Sequence, residues 1–192
     1  MEHFKRGLSL NEEVTNLIRL RQEGSFWDFK KQWYTNKSDM LHDIICMSNN
    51  LSNRTAYIII GIDEQQDYSI VDVSCDPNRK NTQKLVDFLK DKKFAGGIRP
   101  VVHVESLHYS NGVIDTIVIE NSSNTPFYLT AQYEGVRASS IYTRVMDTNT
   151  PIDKSADINH IEQLWRKRFH LDDTPIEKFR YYLRNPDDWN TI

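Results

Sequence analysis

The segment AYIIIGI at residues 56–62 is an unbroken run of apolar and small residues, and four of its seven members are isoleucine. Strands with one face in water alternate apolar and polar residues, whereas strands covered on both faces are continuously apolar and rich in β-branched residues. We therefore predict a central strand here that is buried on both faces. Asp63 follows at the exit of this strand.

Amphipathic helical patterns lie on both sides of this strand in the sequence. Ser9 and Glu12 form a capping box, which opens a helix with one apolar stripe that Gly24 ends. A second helix, capped by its first residue, a serine, is predicted over residues 38–50, and a third over 81–93.

Further segments are rich in β-branched residues or alternate apolar and polar residues, which predicts more strands. The clearest signal is a hairpin around Ser-Asn-Gly, because Asn-Gly pairs favour tight hairpin turns. The additional strands are predicted at residues 26–33, 68–73, 101–109, 113–120, 127–129 and 140–145. Helices and strands thus alternate, which predicts an α/β domain.

A change of pattern near residue 150 predicts a domain boundary. Residues 147–151, DTNTP, favour turns, and the pattern beyond them is purely helical. We therefore predict one domain over residues 1–150 and a C-terminal helical extension over 151–192, which fits the start of a longer protein. The extension contains a second capping box. In the C-terminal extension, the apolar residues predicted to face inward are Ile158, Ile161, Trp165, Phe169, Ile176, Phe179 and Leu183.

Composition limits the class of protein. Hydrophobic residues make up 39% of the chain and charged residues 27%, as in ordinary globular proteins. The start carries no secretory signal, and no apolar run reaches the roughly 18–20 residues that cross a bilayer. We therefore predict a cytoplasmic protein without a membrane partner. The net charge of −3 argues against a histone-like protein held to nucleic acid by bulk charge, but it allows a local basic groove.

Three acidic residues lie where predicted elements end. Glu23 ends the first helix, Asp28 projects from the first strand, and Asp63 follows the buried strand. If the two strands are neighbours, the three carboxylates converge, and Mg²⁺ or Mn²⁺ would relieve their repulsion. They are the predicted metal ligands and catalytic residues, because such an ion can activate water against a phosphodiester. The alternative is that they are three ordinary acids at the ends of elements.

Four cations are the predicted contacts with nucleic-acid phosphates. Lys30 shares a strand face with Asp28, and Lys31 follows it directly. Arg99 lies beside a glycine bend and Arg144 on a predicted strand, and an arginine can hold a phosphate in a bidentate fork. In the alternative interpretation, Lys30 pairs with Asp28 and each arginine pairs with a structural carboxylate.

Other basic pairs, Arg79-Lys80 among them, form a patch only if the fold brings them together. Familiar catalytic motifs do not occur in the sequence: it has no GxxxxGK[ST] loop, no HExxH pair and no GxSxG elbow. We therefore expect no organic cofactor.

Four short motifs occur in an order that resembles the Schlafen AlbA-2 domain family, and the likeness spans roughly residues 9–150. They resemble the family's E…EFK opening, its A-N-t-G-G and I-G-V-D-D core, and its later rPyy…yiR stretch. The matching segments are Glu23 with DFK at 28–30, SNN at 48–50, YIIIGIDE at 57–64, and TPFY at 125–128 with YTR at 142–144.

This resemblance implies a mixed α/β (α+β) fold, with helices that flank a central mixed β-sheet, and it implies contact with nucleic acid. Vertebrate Schlafens have a related core that cleaves structured RNA through three metal-binding carboxylates, which match Glu23, Asp28 and Asp63, while the family lysine matches Lys30. Many bacterial members are described as DNA-binding or transcription-regulatory domains. Because the vertebrate proteins form a clamp from two similar lobes, the resemblance also implies that a single lobe could act as a homodimer.

The chain departs from the family pattern at two places. Asp28 stands where the family has glutamate, and residues 51–54 replace its glycine pair. Three functions therefore remain open from the sequence. They are a nucleic-acid-binding domain of a transcriptional or defence regulator, a metal-dependent endoribonuclease, and a nucleotide-binding or interaction domain.

Overall fold

The fold is that of a computed structural model, which describes residues 8–184. The outer ends of the two predicted domains, residues 1–7 and 185–192, lie outside the described residues. The helices are α1 (Leu10–Arg19), α2 (Lys37–Ser48), α3 (Thr82–Lys90), α4 (Ile158–Arg168) and α5 (Pro175–Arg184). The strands are β1 (Trp27–Lys30), β2 (Ala56–Ile60), β3 (Ile62–Asp63), β4 (Ser69–Ile70), β5 (Val102–Tyr109), β6 (Gly112–Ile119), β7 (Arg144–Val145) and β8 (Thr148–Asn149).

The central sheet has four strands in the order β1-β2-β6-β5. β1 runs parallel to β2, whereas β2 pairs with β6 and β6 with β5 in antiparallel fashion. The mixed α/β fold predicted from the sequence is thus confirmed. β2 is one of the two inner strands, and all five of its residues are buried, as the isoleucine run predicted.

Gly61 separates β2 from β3, so the predicted strand over residues 56–62 is divided. The Gly61 N–H donates to the Lys30 carbonyl at 2.7 Å, and the Gly61 carbonyl accepts from the Val71 N–H at 2.8 Å. The φ angle of Gly61 is +108°, and a Cβ atom there would lie 2.7 Å from the Val71 carbonyl oxygen. Only glycine fits this turn without strain.

Helices cover the sheet on both faces. α2 and α3 pack on one face against a core that includes Ile58 and Ile60, and α1 packs on the other against Trp27 and Phe29. In β1, Asp28 and Lys30 pair in register with Ile58 and Ile60. Because partners in register point to the same side of a sheet, both polar side chains lie on the α2 face.

α1 begins with the predicted capping box but ends earlier than predicted. Ser9 and Glu12 exchange hydrogen bonds as expected, and the last helical residue is Arg19 rather than a residue next to Gly24. Glu23 therefore lies in a loop and not at a helix end. Gly24 fits against the Trp27 ring, where a Cβ atom would approach within 2.2 Å of the ring carbons.

The C-terminal helices have their predicted positions but not their predicted contacts. The Thr174–Glu177 capping box is confirmed, since the two side chains bond at 2.6 Å. In α4 the buried residue is Leu164, whereas Ile158 is 74% exposed and Phe169 61% exposed. In α5 the residues predicted to face inward, Ile176, Phe179 and Leu183, are all more than half exposed. For these five exposed residues the prediction was wrong, because an apolar stripe identifies a face and not whether a neighbouring element covers it, whereas Ile161 and Trp165 are half-buried.

The later short strands are smaller than predicted. Residues 127–129 contribute one isolated bridge, from Leu129 to Phe94, and the strand predicted at 140–145 is limited to Arg144–Val145. The predicted boundary turn forms the β7–β8 hairpin. Within residues 8–184, no helix is both long and apolar enough to span a membrane.

Candidate functional site

Glu23, Asp28 and Lys30 come together between β1 and α2. The loop before β1 folds back so that Glu23 Oε1 accepts a hydrogen bond from the Phe29 N–H at 3.0 Å. The Lys30 ammonium forms a close ion pair with the Asp28 carboxylate, and its Nζ lies 3.5 Å from Asp43 Oδ2 on α2. Arg144 of β7 completes the group. We call these five residues, Glu23, Asp28, Lys30, Asp43 and Arg144, the carboxylate cluster.

Arg144 is the buried cation of this cluster, and its side chain is only 2% exposed. Its Nε donates to the Gly24 carbonyl at 2.7 Å, and one terminal nitrogen donates to Glu23 Oε2 at 2.8 Å and to the Trp27 carbonyl at 3.2 Å. The other terminal nitrogen donates to Asn149 Oδ1 at 3.0 Å. This geometry matches the structural pairing that the sequence left open for Arg144, since a buried guanidinium with engaged donors does not reach a surface phosphate.

Asp43 connects the cluster to its surroundings on the α2 side. Its oxygens accept hydrogen bonds from the Tyr34 hydroxyl at 2.7 Å and from Asn149 Nδ2 at 2.8 Å. Asn149 therefore bridges Arg144 and Asp43. Buried polar groups are stable only when they are paired in this way.

The two central carboxyl groups differ in their affinity for a proton. Burial raises the pKa of Asp28 to about 8, and a hydrogen bond with Glu23 acts in the same direction, while Lys30 opposes both effects. Burial would also raise the pKa of Glu23, but hydrogen bonds from Asp28, the Phe29 N–H and Arg144 hold it below its ordinary value. The pKa values of the two groups are therefore shifted in opposite directions, upward for Asp28 and downward for Glu23.

Asp63 binds a different cation. Its Oδ2 lies 2.7 Å from Lys31 Nζ, and its Oδ1 caps a short 3₁₀ turn by accepting from the Gln65 N–H at 3.1 Å. The hydrogen bond from Lys31 is the largest cause that lowers the pKa of Asp63. Lys31 and Asp63 therefore form their own ion pair at the end of the parallel strands.

The three predicted carboxylates face different cations in this arrangement. Within residues 8–184, no group of three or more His, Cys, Asp or Glu side chains is placed to share a metal ion. Glu23 and Asp28 face Arg144 and Lys30, while Asp63 faces Lys31. Cations thus occupy the oxygens that Mg²⁺ or Mn²⁺ would need. The metal-binding and catalytic roles of these residues stay predictions.

The predicted phosphate contacts differ in how far they reach solvent. The Lys30 side chain is 31% exposed, whereas that of Asp28 beneath it is 3% exposed. Lys31 is 58% exposed, and Arg99 is exposed. Lys30, Lys31 and Arg99 can therefore meet a ligand, while Arg144 holds the carboxylates from below.

Sequence analysis missed Asp43 and Glu64. The signal for Asp43 was its position in α2, where an acid stands among residues that are almost all buried. Glu64 begins the 3₁₀ turn after Asp63, and its pKa is raised by burial and then by repulsion from Glu23. Glu64 is therefore an acidic neighbour of the carboxylate cluster. In the sequence, nothing set Glu64 apart from the adjacent Asp63.

Asn49, which ends α2, also positions β7. Besides forming the cap of α2, its side chain donates to the Phe127 and Tyr142 carbonyls at 2.8 Å each and accepts from the Phe127 N–H at 2.7 Å. The Thr143 hydroxyl donates to the Asn49 carbonyl at 2.6 Å. These bonds fix the segment that carries Arg144 against the end of α2.

Comparison with known proteins gives one family and one structural likeness. The family model described as "Schlafen, AlbA_2" matches residues 23–153. No curated protein matches the chain significantly. Among solved structures, the chain is similar to the N-terminal domain of a protein from Nitrosomonas europaea that is described as related to the ATP-dependent DNA helicase RecG. The TM-score is 0.48 at 13% identity, over 74% of this chain and 93% of that one.

Proposed function

Because the chain belongs to the Schlafen AlbA_2 family, we propose that it is a nucleic-acid-binding domain. The observation that supports this most is that the motif residues Glu23, Asp28 and Lys30 meet in one cluster, with Lys30 at its surface. Desolvating so many charged groups costs free energy, and such groups concentrate at functional sites.

The acids of the cluster do not prevent the approach of a phosphate, because cations face them. Arg144 lies 2.8 Å from Glu23 and 3.4 Å from Asp28, and Lys30 is paired with both Asp28 and Asp43. The carboxylates therefore hold Lys30 in place instead of presenting a bare negative surface. A lysine fixed in this way is a point charge suited to contact with a phosphate.

We propose Lys30, Lys31 and Arg99 as phosphate contacts at the surface, with Arg144 as the residue that holds Glu23 and Asp28 beneath Lys30. The partner is RNA or DNA, and the domain serves as the part of a transcriptional or defence regulator that contacts nucleic acid. As a single lobe, it would act as a homodimer, which equilibrium sedimentation of the purified chain tests.

Fluorescence anisotropy with labelled tRNA and a labelled DNA duplex at low salt tests the binding function. We expect binding that weakens as salt rises, because phosphate contacts release counterions. Replacing the exposed cations with glutamine (Lys31→Gln with Arg99→Gln) should weaken binding severalfold, whereas Lys154→Gln with Arg180→Gln on the C-terminal extension should not. The proposal fails if the wild-type chain binds neither nucleic acid at low salt.

A metal-dependent endoribonuclease is the second candidate, and the contact between Glu23 and Asp28 favours it. Glu23 and Asp28, two of the three predicted ligands, already share a hydrogen bond. The third, Asp63, would have to break its ion pair with Lys31 to join them. Incubation of labelled tRNA with Mg²⁺ or Mn²⁺, beside an Asp63→Ala variant, separates the two functions. Cleavage that the variant loses supports the nuclease, and binding without cleavage in either protein supports a binding domain alone.

A further inference from the structure

Three lysines gather at the amino end of α3, outside the carboxylate cluster. We call Lys37, Lys80 and Lys84 the lysine patch. Lys37 and Lys84 are exposed, and Lys80 is half-buried. Among the ion pairs of the described residues, none joins these three lysines to a carboxylate. This distinguishes the patch from Lys30 and Lys31, each of which has an acidic partner.

The lysines are close enough to repel one another. The pKa of Lys80 lies below its ordinary value, first because of burial and then because of Lys37, with a smaller effect of Lys84. Asp76 acts in the opposite direction. Its oxygens, however, accept hydrogen bonds from the backbone N–H groups of Trp33 at 2.9 Å and Asn78 at 2.8 Å. Asp76 therefore offsets part of the charge on Lys80, but none of the three lysines forms an ion pair with a carboxylate of the described residues.

A pocket of about 290 Å³ opens beside Lys80 and Lys84. Its lining contains no carboxylate and no aromatic ring. The lining residues are Arg79, Lys80, Asn81, Lys84, Val104 and Ser106. Asn81 caps α3, so the positive end of the helix dipole is directed at the same place.

One lining residue, Arg79, is neutralised by an ion pair with Asp115, which is not itself in the lining. The Arg79 guanidinium donates two hydrogen bonds to the Asp115 carboxylate, at 2.7 and 2.8 Å, and one to Ser106 Oγ at 2.9 Å. The Asp115 side chain is fully buried and also accepts from Trp33 Nε1 at 2.8 Å. Arg79 is thus already engaged, and the free positive charge beside the pocket comes from the lysines.

From this arrangement we infer that the lysine patch binds the phosphate backbone of a nucleic-acid strand, an inference that rests on the proposed nucleic-acid function. Lysine ammonium groups and a helix amino end attract phosphate. Without an aromatic ring in the pocket lining, bases have no surface on which to stack, so binding there is independent of sequence. Because two of the three lysines are exposed, the site is an open surface that suits a strand with several phosphates, and not an enclosed cage around one free ion.

The test is a salt titration of binding to a labelled RNA strand and a labelled DNA duplex, both of arbitrary sequence. The variant is Lys80→Gln with Lys84→Gln, and the control is Lys90→Gln with Lys93→Gln, which removes equal charge from the opposite end of α3. We expect the patch variant to bind about 5- to 20-fold more weakly and to lower the slope of log affinity against log salt by about 1 to 2. The control should change affinity less than about 2-fold. Circular dichroism confirms that both variants are folded.

The outcomes separate the two proposals. If the wild-type chain binds no nucleic acid at low salt, the proposed function fails and this inference fails with it. If the wild-type chain binds and both double variants bind equally well, the lysine patch is excluded while nucleic-acid binding stands. Competition by inorganic phosphate at matched ionic strength is a third measurement. If inorganic phosphate binds the wild-type chain but not the patch variant, while both bind the strand equally well, the patch takes a free anion and the inference is overturned.

Discussion

The carboxylate cluster and the lysine patch lie on the same side of the sheet, where α2 and α3 pack, yet their charges are arranged in opposite ways. In the cluster, each acid faces a cation, and Arg144 and Asp28 are almost fully buried. In the patch, lysines face one another and remain near water. Segment 30–37 connects the two regions, since Lys30 belongs to the first and Lys37 to the second.

This difference separates the buried charges of the cluster, such as Arg144 and Asp28, from charges that are available to a ligand. Buried ions need partners, because desolvation without a partner costs several kcal/mol per ion. Exposed ions tolerate weak repulsion, because water screens them. We therefore expect changes in the cluster to affect folding most and changes in the patch to affect ligand binding most.

The largest effect is expected from Arg144→Met, which tests whether the buried charges of the carboxylate cluster stabilise the fold. The variant leaves the half-buried Glu23 without its cation, removes one of the two cations beside the buried Asp28, and loses the hydrogen bonds to Gly24 and Asn149. Removing one partner of a buried ion pair typically costs about 3–5 kcal/mol in the free energy of unfolding. Urea denaturation measures the loss. The matched control is Arg54→Met, whose exposed pair with Glu13 should contribute no more than about 1 kcal/mol. Equal losses in the two variants would contradict the structural role of Arg144.

A second effect, which depends on pH and reaches at most about 1.4 kcal/mol within any one pH unit, is expected at Asp28. Its pKa is about 8 in the folded chain and lies near 3.8 when unperturbed, so the folded state binds a proton more tightly. The stability that this proton supplies is complete below the unfolded pKa and is lost as the pH rises through the folded pKa. Between about pH 4 and 8, wild type should therefore lose stability relative to Asp28→Asn, by at most about 1.4 kcal/mol per pH unit. Thermal denaturation of both proteins across this range measures the difference, and a constant difference at all pH values would show that Asp28 is ionised in the fold.

The smallest effect on folding is expected in the patch. Lys80→Gln with Lys84→Gln removes repulsion and no ion pair, so the free energy of unfolding should change by less than about 0.5 kcal/mol. Any gain in stability should be larger at low salt, because salt screens the repulsion between the lysines. Urea denaturation at two salt concentrations provides the measurement. A large loss of stability would mean that these lysines hold the structure together, and the distinction between the two regions would fail.

Local sequence patterns predicted much of the fold. The isoleucine run of β2 marked a strand buried on both faces, and the capping boxes at Ser9 and Thr174 marked helix starts, because these signals depend on near neighbours in the chain. Register explains why Asp28 and Lys30 share a face, which the period-two rule predicted. The apolar stripe of α5 was predicted to pack inward, but covering it requires another element, and its apolar residues are exposed.

For the candidate site, the sequence by itself determined which residue types lie at the end of β1 and that Glu23, Asp28 and Lys30 belong to a family motif. The Lys30–Asp28 pair was one of the alternatives open from the sequence, but only the tertiary structure decided the other partners. Arg144 lies more than a hundred positions from Glu23 in the sequence, and Asp43 reaches the cluster from α2, which packs on the sheet. The same long-range packing pairs Asp63 with Lys31 and brings Lys37 to the amino end of α3. Charges act through space over a few ångströms, so their partners depend on how distant segments pack, which a local pattern does not contain.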